Sequence, residues 1–176
     1  QRVGKYIQSS TGAKVCVSSW RRIEDTAIPA RGKVNGAYVN SALVKTEAML
    51  SGFDDAIVLN QDGHVSEGSA ANLMIVRDGV VITPPVTANL LEGITRHTLI
   101  TLSRDELGLE VVERDIDRTE LYSTDEAFLC GTGVQIVPIG SIDHRTIGQG
   151  GTGPITQQLR ELFNREIGRA SCRERV

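Results

Sequence analysis

Two apolar runs, residues 73–77 and 80–83, flank Asp78-Gly79, and that spacing commits the stretch to an antiparallel hairpin. A second hairpin is predicted where the run from Asp55 to Leu59 meets Gln61-Asp62-Gly63. Further strands are predicted at 14–20, where apolar and polar residues alternate, at 109–113, and at 127–130 and 134–139, which Gly131-Thr132-Gly133 separates. Windows of helical spacing fall between them. Residues 38–50 end before Gly52, and residues 94–106 have Thr95 near their start and Gly108 past their end. Residues 117–122 read as a short helix with Asp117 or Thr119 as its cap. A last helix is expected from 155 to about 166, with Pro154 suited to its first turn. Residues 28–36 are irregular, because proline and glycine punctuate them. Hairpins interleaved with helices, without a long linker or a repeat, point to an α+β domain: a mixed sheet or partial barrel with helices outside.

The chain is 176 residues long and 40% apolar, enough for one sizeable core. Its net charge of −3 gives no general attraction to nucleic acid or anionic lipid. No apolar run approaches the ~20 residues that cross a bilayer. The chain opens on Gln1 and polar residues, without a signal peptide, as if cut from something longer. Cys16, Cys130 and Cys172 lie far apart, without metal-ligand spacing. They read as two buried apolar residues and a tail thiol, in keeping with a reducing cytoplasm. Residues 167–176 show neither helical nor strand periodicity and read as a frame translation of a common sequencing adapter. The expected domain is therefore 1–166, with 167–176 an artefact tail.

Two ionisable residues stand out because their neighbours are too small to cover them. Lys33 lies in Ala30-Arg31-Gly32-Lys33-Val34-Asn35-Gly36, and Glu67 in Ser66-Glu67-Gly68-Ser69-Ala70-Ala71. Small neighbours suggest a cavity. A lysine that attacks a carbonyl must be held neutral, which burial and nearby positive charge favour. A buried carboxylate keeps a pyridine nitrogen protonated, so that the ring absorbs carbanion electrons. The pair points to pyridoxal phosphate chemistry, with Lys33 as the Schiff-base amine and later the proton shuttle. Leu91-Glu92-Gly93-Ile94-Thr95-Arg96 leads a glycine into a helix start, a ready anion site. Gly131-Thr132-Gly133 between strands offers a second anion nest. His64, His97 and His144 have no spaced partners and are expected in structural or solvent roles. The chain has no Gly-x-Ser-x-Gly nucleophile elbow around Ser66-Glu67-Gly68-Ser69.

Taken together and in order, these motifs resemble the fold-type IV (class IV) pyridoxal phosphate-dependent aminotransferases, the branched-chain amino acid aminotransferase family most closely. The resemblance covers residues 15 to about 161. It runs through Glu67-Gly68-Ser69-Ala70-Ala71-Asn72-Leu73, Val81-Ile82-Thr83, Leu91 to Arg96, Thr124-Asp125-Glu126-Ala127-Phe128, Gly131-Thr132-Gly133 and Gly151-Thr152-Gly153-Pro154. It implies that Lys33 is the catalytic Schiff-base lysine. It implies that Tyr38 hydrogen-bonds the cofactor's phenolic oxygen and borders the substrate pocket. Glu67 would pair with the pyridine nitrogen, Ile94 and Thr95 would bind the phosphate, and Thr132 would add a phosphate contact and, with Gly133, line the substrate carboxylate site. The implied cofactor is pyridoxal 5'-phosphate and no metal. The implied reaction is transamination of branched-chain L-amino acids (Leu, Ile, Val) with 2-oxoglutarate, by a homo-oligomer when full length. D-amino acid aminotransferase and aminodeoxychorismate lyase, which use the same lysine, are the alternatives, and a non-enzymatic domain of the same fold is the remaining one. Met74 stands where the signature has an aromatic, Ala70 where many members have glycine, and Gly133 where alanine is common. Members also carry an N-terminal small domain of roughly a hundred residues or more, so this chain reads as the cofactor-binding large domain, inactive alone.

Overall fold

The computed structural model describes residues 12–173. In chain order its elements are β1 (Ala13–Arg21), α1 (Ala37–Leu50), β2 (Asp55–Leu59), β3 (Val65–Gly68), β4 (Asn72–Arg77), β5 (Val80–Thr83), α2 (Ile94–Asp105), β6 (Val111–Glu113), β7 (Glu126–Gly131), β8 (Gln135–Ile142), β9 (Arg145–Thr146) and α3 (Pro154–Arg173). All the strands belong to one sheet in the order β3-β2-β1-β8-β7-β4-β5-β6, with β9 paired to β8. The pairs β1/β2, β1/β8 and β5/β6 are parallel, and the others antiparallel. Parallel neighbours need a crossover, and helices α1 and α2 supply it between β1 and β2 and between β5 and β6. The result is the α+β architecture expected, with the sheet curled into a half-barrel.

Side-chain alternation along each strand builds two layers. Leu73 and Ile75 of β4, Ala127 and Leu129 of β7, and Ile57 and Leu59 of β2 point into the concave face, where Val15, Ile139 and Ile142 join them. Met74, Val76, Phe128 and Cys130 point the other way, against Leu99, Leu102, Leu159 and Phe163 of α2 and α3. Cys16, Ala56 and Val58 meet Val44 and Ala48 of α1. Strands covered on both faces read as near-continuous apolar runs, which explains Asn72-Leu73-Met74-Ile75-Val76. Each fully buried Leu or Phe contributes about 1.5–3 kcal/mol. Met74 fills a core slot, fully buried.

The Asp78-Gly79 hairpin forms as predicted, with φ of 51° and 79°, the two positive angles of a type I′ turn. The residues predicted as a helix at 117–122 form a 3-10 turn, Arg118–Tyr122. Asp117 stands at its cap without a side-chain bond there. Its carboxylate instead lies 3.4 Å from His64. His144 packs on the Phe53 ring, and no metal-binding group of acidic, histidine and cysteine side chains occurs among the described residues.

Three departures stand out. Strand β9 is two residues long and carries too little pattern to read. Helix α3 runs to Arg173, beyond the expected end near Glu166. Once a helix is nucleated, each further residue adds a hydrogen bond, and Arg and Ala are good formers, so a missing apolar stripe does not stop it. Residues 1–11 and 174–176, at the ends of the expected domain and tail, and the Cys172 side chain lie outside the description. The third departure is how α3 starts. Glu126 of β7 accepts hydrogen bonds from the Ile155 N–H (3.0 Å), the Thr156 N–H (2.7 Å) and the Thr156 hydroxyl (2.6 Å). A buried carboxylate from another strand thus caps the helix and meets the positive end of its dipole. Gly153 has to be glycine here, since a Cβ would overlap the Glu126 carboxyl.

Candidate active site

The two crossovers and the end of β7 bring three loops to one place, at the carboxyl ends of strands, where α/β sheets place ligands. The loop from β1 to α1 carries Lys33, the turn before α2 carries Leu91 to Gly93, and the turn after β7 carries Thr132 and Gly133. Together they enclose a cavity of about 260 Å³. All seven residues anticipated from the sequence line it: Lys33, Tyr38, Glu67, Ile94, Thr95, Thr132 and Gly133.

Glu67 lies at the floor, 4% exposed. Its Oε1 pairs with the Arg22 guanidinium at 2.8 Å. Its Oε2 accepts from the Asn72 amide at 3.1 Å and from the Leu91 N–H at 3.2 Å. Burial pushes the Glu67 carboxyl up to about 7, while Arg22 and the Leu91 N–H pull it back toward its ordinary range. A carboxylate offers about four acceptor positions, of which three are used, so one is left for a further N–H donor. Arg22 is itself buried and also donates to the Asn89 carbonyl at 3.1 Å, which fixes its guanidinium.

Helix α2 starts at Ile94, after Gly93 in an extended conformation, and no side chain caps it among the described residues. Thr95 therefore sits in the first turn of the helix rather than at its cap, buried, beside backbone N–H groups that no side-chain cap satisfies. Arg96 anchors this turn from beneath. It donates to the Thr83 hydroxyl and the Pro84 carbonyl and pairs with Glu113 at 2.7 Å. Across the mouth, Arg31 on the lysine loop pairs with Glu92 at 2.5 Å.

Two expectations need correction. Lys33 is exposed, at the open side of the cavity, because its loop crosses the sheet end with solvent on one face. The burial invoked to keep its amine neutral is not supplied by the described residues. Gly68, one of the small neighbours of Glu67 expected to open a cavity, faces packed atoms instead. A Cβ there would meet Leu129 at 2.9 Å and the Ala71 carbonyl at 3.0 Å, so it is glycine because the turn into β4 packs tightly. Ala70 does lie on the cavity wall, exposed, and Gly133 has open space around it.

Arg22, Asn72 and Cys130 also line the cavity and were not anticipated as site residues. Asn72 belongs to the quoted signature, which was the one signal for it. Arg22 follows Arg21 at a strand end and reads as surface charge. Burial pushes the Cys130 thiol up to about 12 and the Cys16 thiol up to about 11, so both stay protonated and act as small apolar residues.

Comparison with known proteins agrees with this arrangement. Residues 4–142 match the model of the amino-transferase class IV family. A probable branched-chain-amino-acid aminotransferase of Aquifex aeolicus (strain VF5) is 54% identical over 162 residues, covering 92% of this chain and 52% of the relative. The structure of the branched-chain amino acid aminotransferase of Thermobaculum terrenum in its PLP-form superposes with a TM-score of 0.87 at 46% identity, covering 92% of this chain and 52% of that one. The T.th. branched-chain amino acid aminotransferase complexed with N-(5'-phosphopyridoxyl)-L-glutamate does so with a TM-score of 0.83 at 43% identity, covering 86% and 50%. The chain thus spans about half the length of the relatives it matches. No helix among the described residues is long and apolar enough to cross a membrane. With a family match across most of its length and the family's fold around the cavity, the chain belongs to the class IV aminotransferases.

Proposed function

We propose that this chain is the cofactor-binding part of a pyridoxal 5'-phosphate-dependent aminotransferase that moves amino groups between branched-chain L-amino acids and 2-oxoglutarate. The observation behind it is the convergence of Lys33, Glu67 and the uncapped start of α2 on one cavity. The names of the relatives support the amino acid class, and the phosphopyridoxyl-glutamate complex of the T.th. enzyme supports the partner acid.

The residues present suit the cofactor. Glu67 keeps one acceptor position for a ring N–H, and the α2 start offers N–H donors for a phosphate. When bound, pyridoxal 5'-phosphate supplies an electron sink for negative charge at the substrate α-carbon. Lys33 would hold the cofactor through Nζ, and the same amine would carry the proton at the substrate α-carbon. Glu67 keeps the ring nitrogen protonated, with Arg22 holding the carboxylate in place. Tyr38 would donate to the cofactor's phenolic oxygen and border the substrate. Ile94, Thr95 and Thr132 bind the phosphate, and Thr132 and Gly133 receive the substrate carboxylate.

Lys33 and Tyr38 are exposed on the open side, so the rest of the polypeptide completes the pocket. The full-length enzyme is a homo-oligomer, this chain alone is inactive, and its free buried thiols suit a cytoplasmic protein. Residues 167–176 are no part of the natural protein, which sequencing the parent locus past Glu166 tests. In the full-length protein, adding the cofactor should produce a visible absorbance band that Lys33→Ala removes. A band that survives in the variant defeats the assignment. Turnover of leucine, rather than of D-alanine or aminodeoxychorismate, checks the substrate class.

A further inference from the structure

Asn72, the first residue of β4, is buried, and its side-chain amide is divided between Glu67 and the turn that leads into α2. One N–H donates to Glu67 Oε2 at 3.1 Å and the other to the Leu91 carbonyl at 2.8 Å. The Leu91 N–H returns to the same Glu67 oxygen at 3.2 Å, which closes a ring of hydrogen bonds. On its other side, Asn72 Oδ1 fills the place where a side chain on Gly93 would begin, so a Cβ there would overlap it. Residues 91 and 93 are thus both set by one amide, and the next two residues, Ile94 and Thr95, open α2.

Strand pairing does not require this. Asn72 meets its ladder partner Cys130 through the backbone, and an apolar side chain would serve the sheet as well. The amide spends both of its donors on the acid and the anion-binding turn, and that is the full donor capacity of the group.

We propose that Asn72 is a positioning residue that couples the acid end of the site to its phosphate end. It holds Glu67 and the Leu91–Gly93 turn at one separation. Filling the helix start draws the turn, and with it Leu91, into the place that keeps Glu67 aligned, and filling the acid end does the reverse. The inference rests on the reading of the cavity as a pyridoxal phosphate site.

The test uses the full-length protein and two separate probes, pyridoxal, which lacks the phosphate, and inorganic phosphate. In the wild type, saturating phosphate should tighten pyridoxal about fivefold or more, and pyridoxal should tighten phosphate by the same factor, since such coupling is reciprocal. In Asn72→Leu, which keeps most of the volume but loses both donors, and in Asn72→Ala, each probe should still bind while the factor falls to about 1. Gly93→Ala, which pushes a methyl at Asn72 Oδ1, perturbs the same joint from the other side and should also reduce the factor, so the test holds if Asn72→Ala does not fold. Thr124→Val removes a buried hydroxyl that donates to the Val76 carbonyl, away from the cavity, and should leave the factor unchanged. Wild-type coupling in the Asn72 variants, or none in the wild type, overturns the proposal. A pyridoxal signal that does not depend on Lys33 overturns the cofactor reading itself, and the inference with it.

Discussion

Glu67 should make the cofactor-free protein less stable as pH rises through neutrality. An acid whose folded value is raised favours the protonated form in the folded state. Its stabilising effect is whole below the ordinary 4.5 and is lost as pH climbs through about 7. A carboxyl moved over that interval loses about 3 kcal/mol of apparent stability once it is fully ionised. Glu67→Gln removes the titration but keeps the shape. Like the protonated acid, the amide gives the buried Arg22 guanidinium no charged partner, so wild type and variant face the same cost at the acid end. Urea denaturation of cofactor-free wild type and variant from about pH 5 to pH 8 should therefore give curves that start together and separate. The two are close at the acid end, and the wild type falls behind the variant by about 3 kcal/mol toward the alkaline end. Glu47, Glu120 and Asp143 are held below their ordinary values, so their titration falls below this window and is common to both proteins. Curves that stay parallel across the window would refute the reasoning, because they would mean that the floor of the cavity does not strip solvent from the acid.

Glu126→Ala should lower stability by about 3 kcal/mol, read as a drop in urea midpoint, because three hydrogen bonds to a charged acceptor vanish and the Thr156 hydroxyl is left buried without a partner. Cys130 should resist iodoacetamide at pH 8 in the folded protein and react once urea is added, with mass spectrometry reporting the adduct, since its thiol is pushed up to about 12 and is fully buried. Phe128→Ala should cost about 3–5 kcal/mol in the same unfolding assay, by opening a void between β7 and the two helices that pack on it.

Much of the site was legible because its chemistry needs small residues in fixed order. Lys33, Glu67, Thr95 and Thr132 each have glycine or serine within two residues; each such setting alone is ordinary on a surface, and their succession in one chain is what made them readable. The hairpins were legible because Asp78-Gly79 and Asp62-Gly63 belong to turns that few other residues accept. Arg22 was not legible. Its burial follows from the ion pair with Glu67 of β3, which lies across β2 from β1, a long-range contact that no local pattern encodes. The exposure of Lys33 likewise depends on what packs over its loop, not on its neighbours in sequence. Glu126 as a cap for α3 was hidden because donor and acceptor are 29 and 30 residues apart. A cap search that looks only within one turn passes over it.

Because β1 pairs with β8, the sheet order has a consequence for how the protein is made. One portion, β1 to β3, supplies Lys33 and Glu67 from its strands and loops. The other, β4 to β8, supplies Asn72, Thr95 and Thr132. The seam between them joins Ala13 to Ile139 and Val15 to Ile142, so during synthesis that edge of β1 stays without β8 until more than a hundred further residues are made. Pyridoxal phosphate has no complete berth before that zipper shuts. A ligand that grips only the joined form then favours the closing of the seam by mass action.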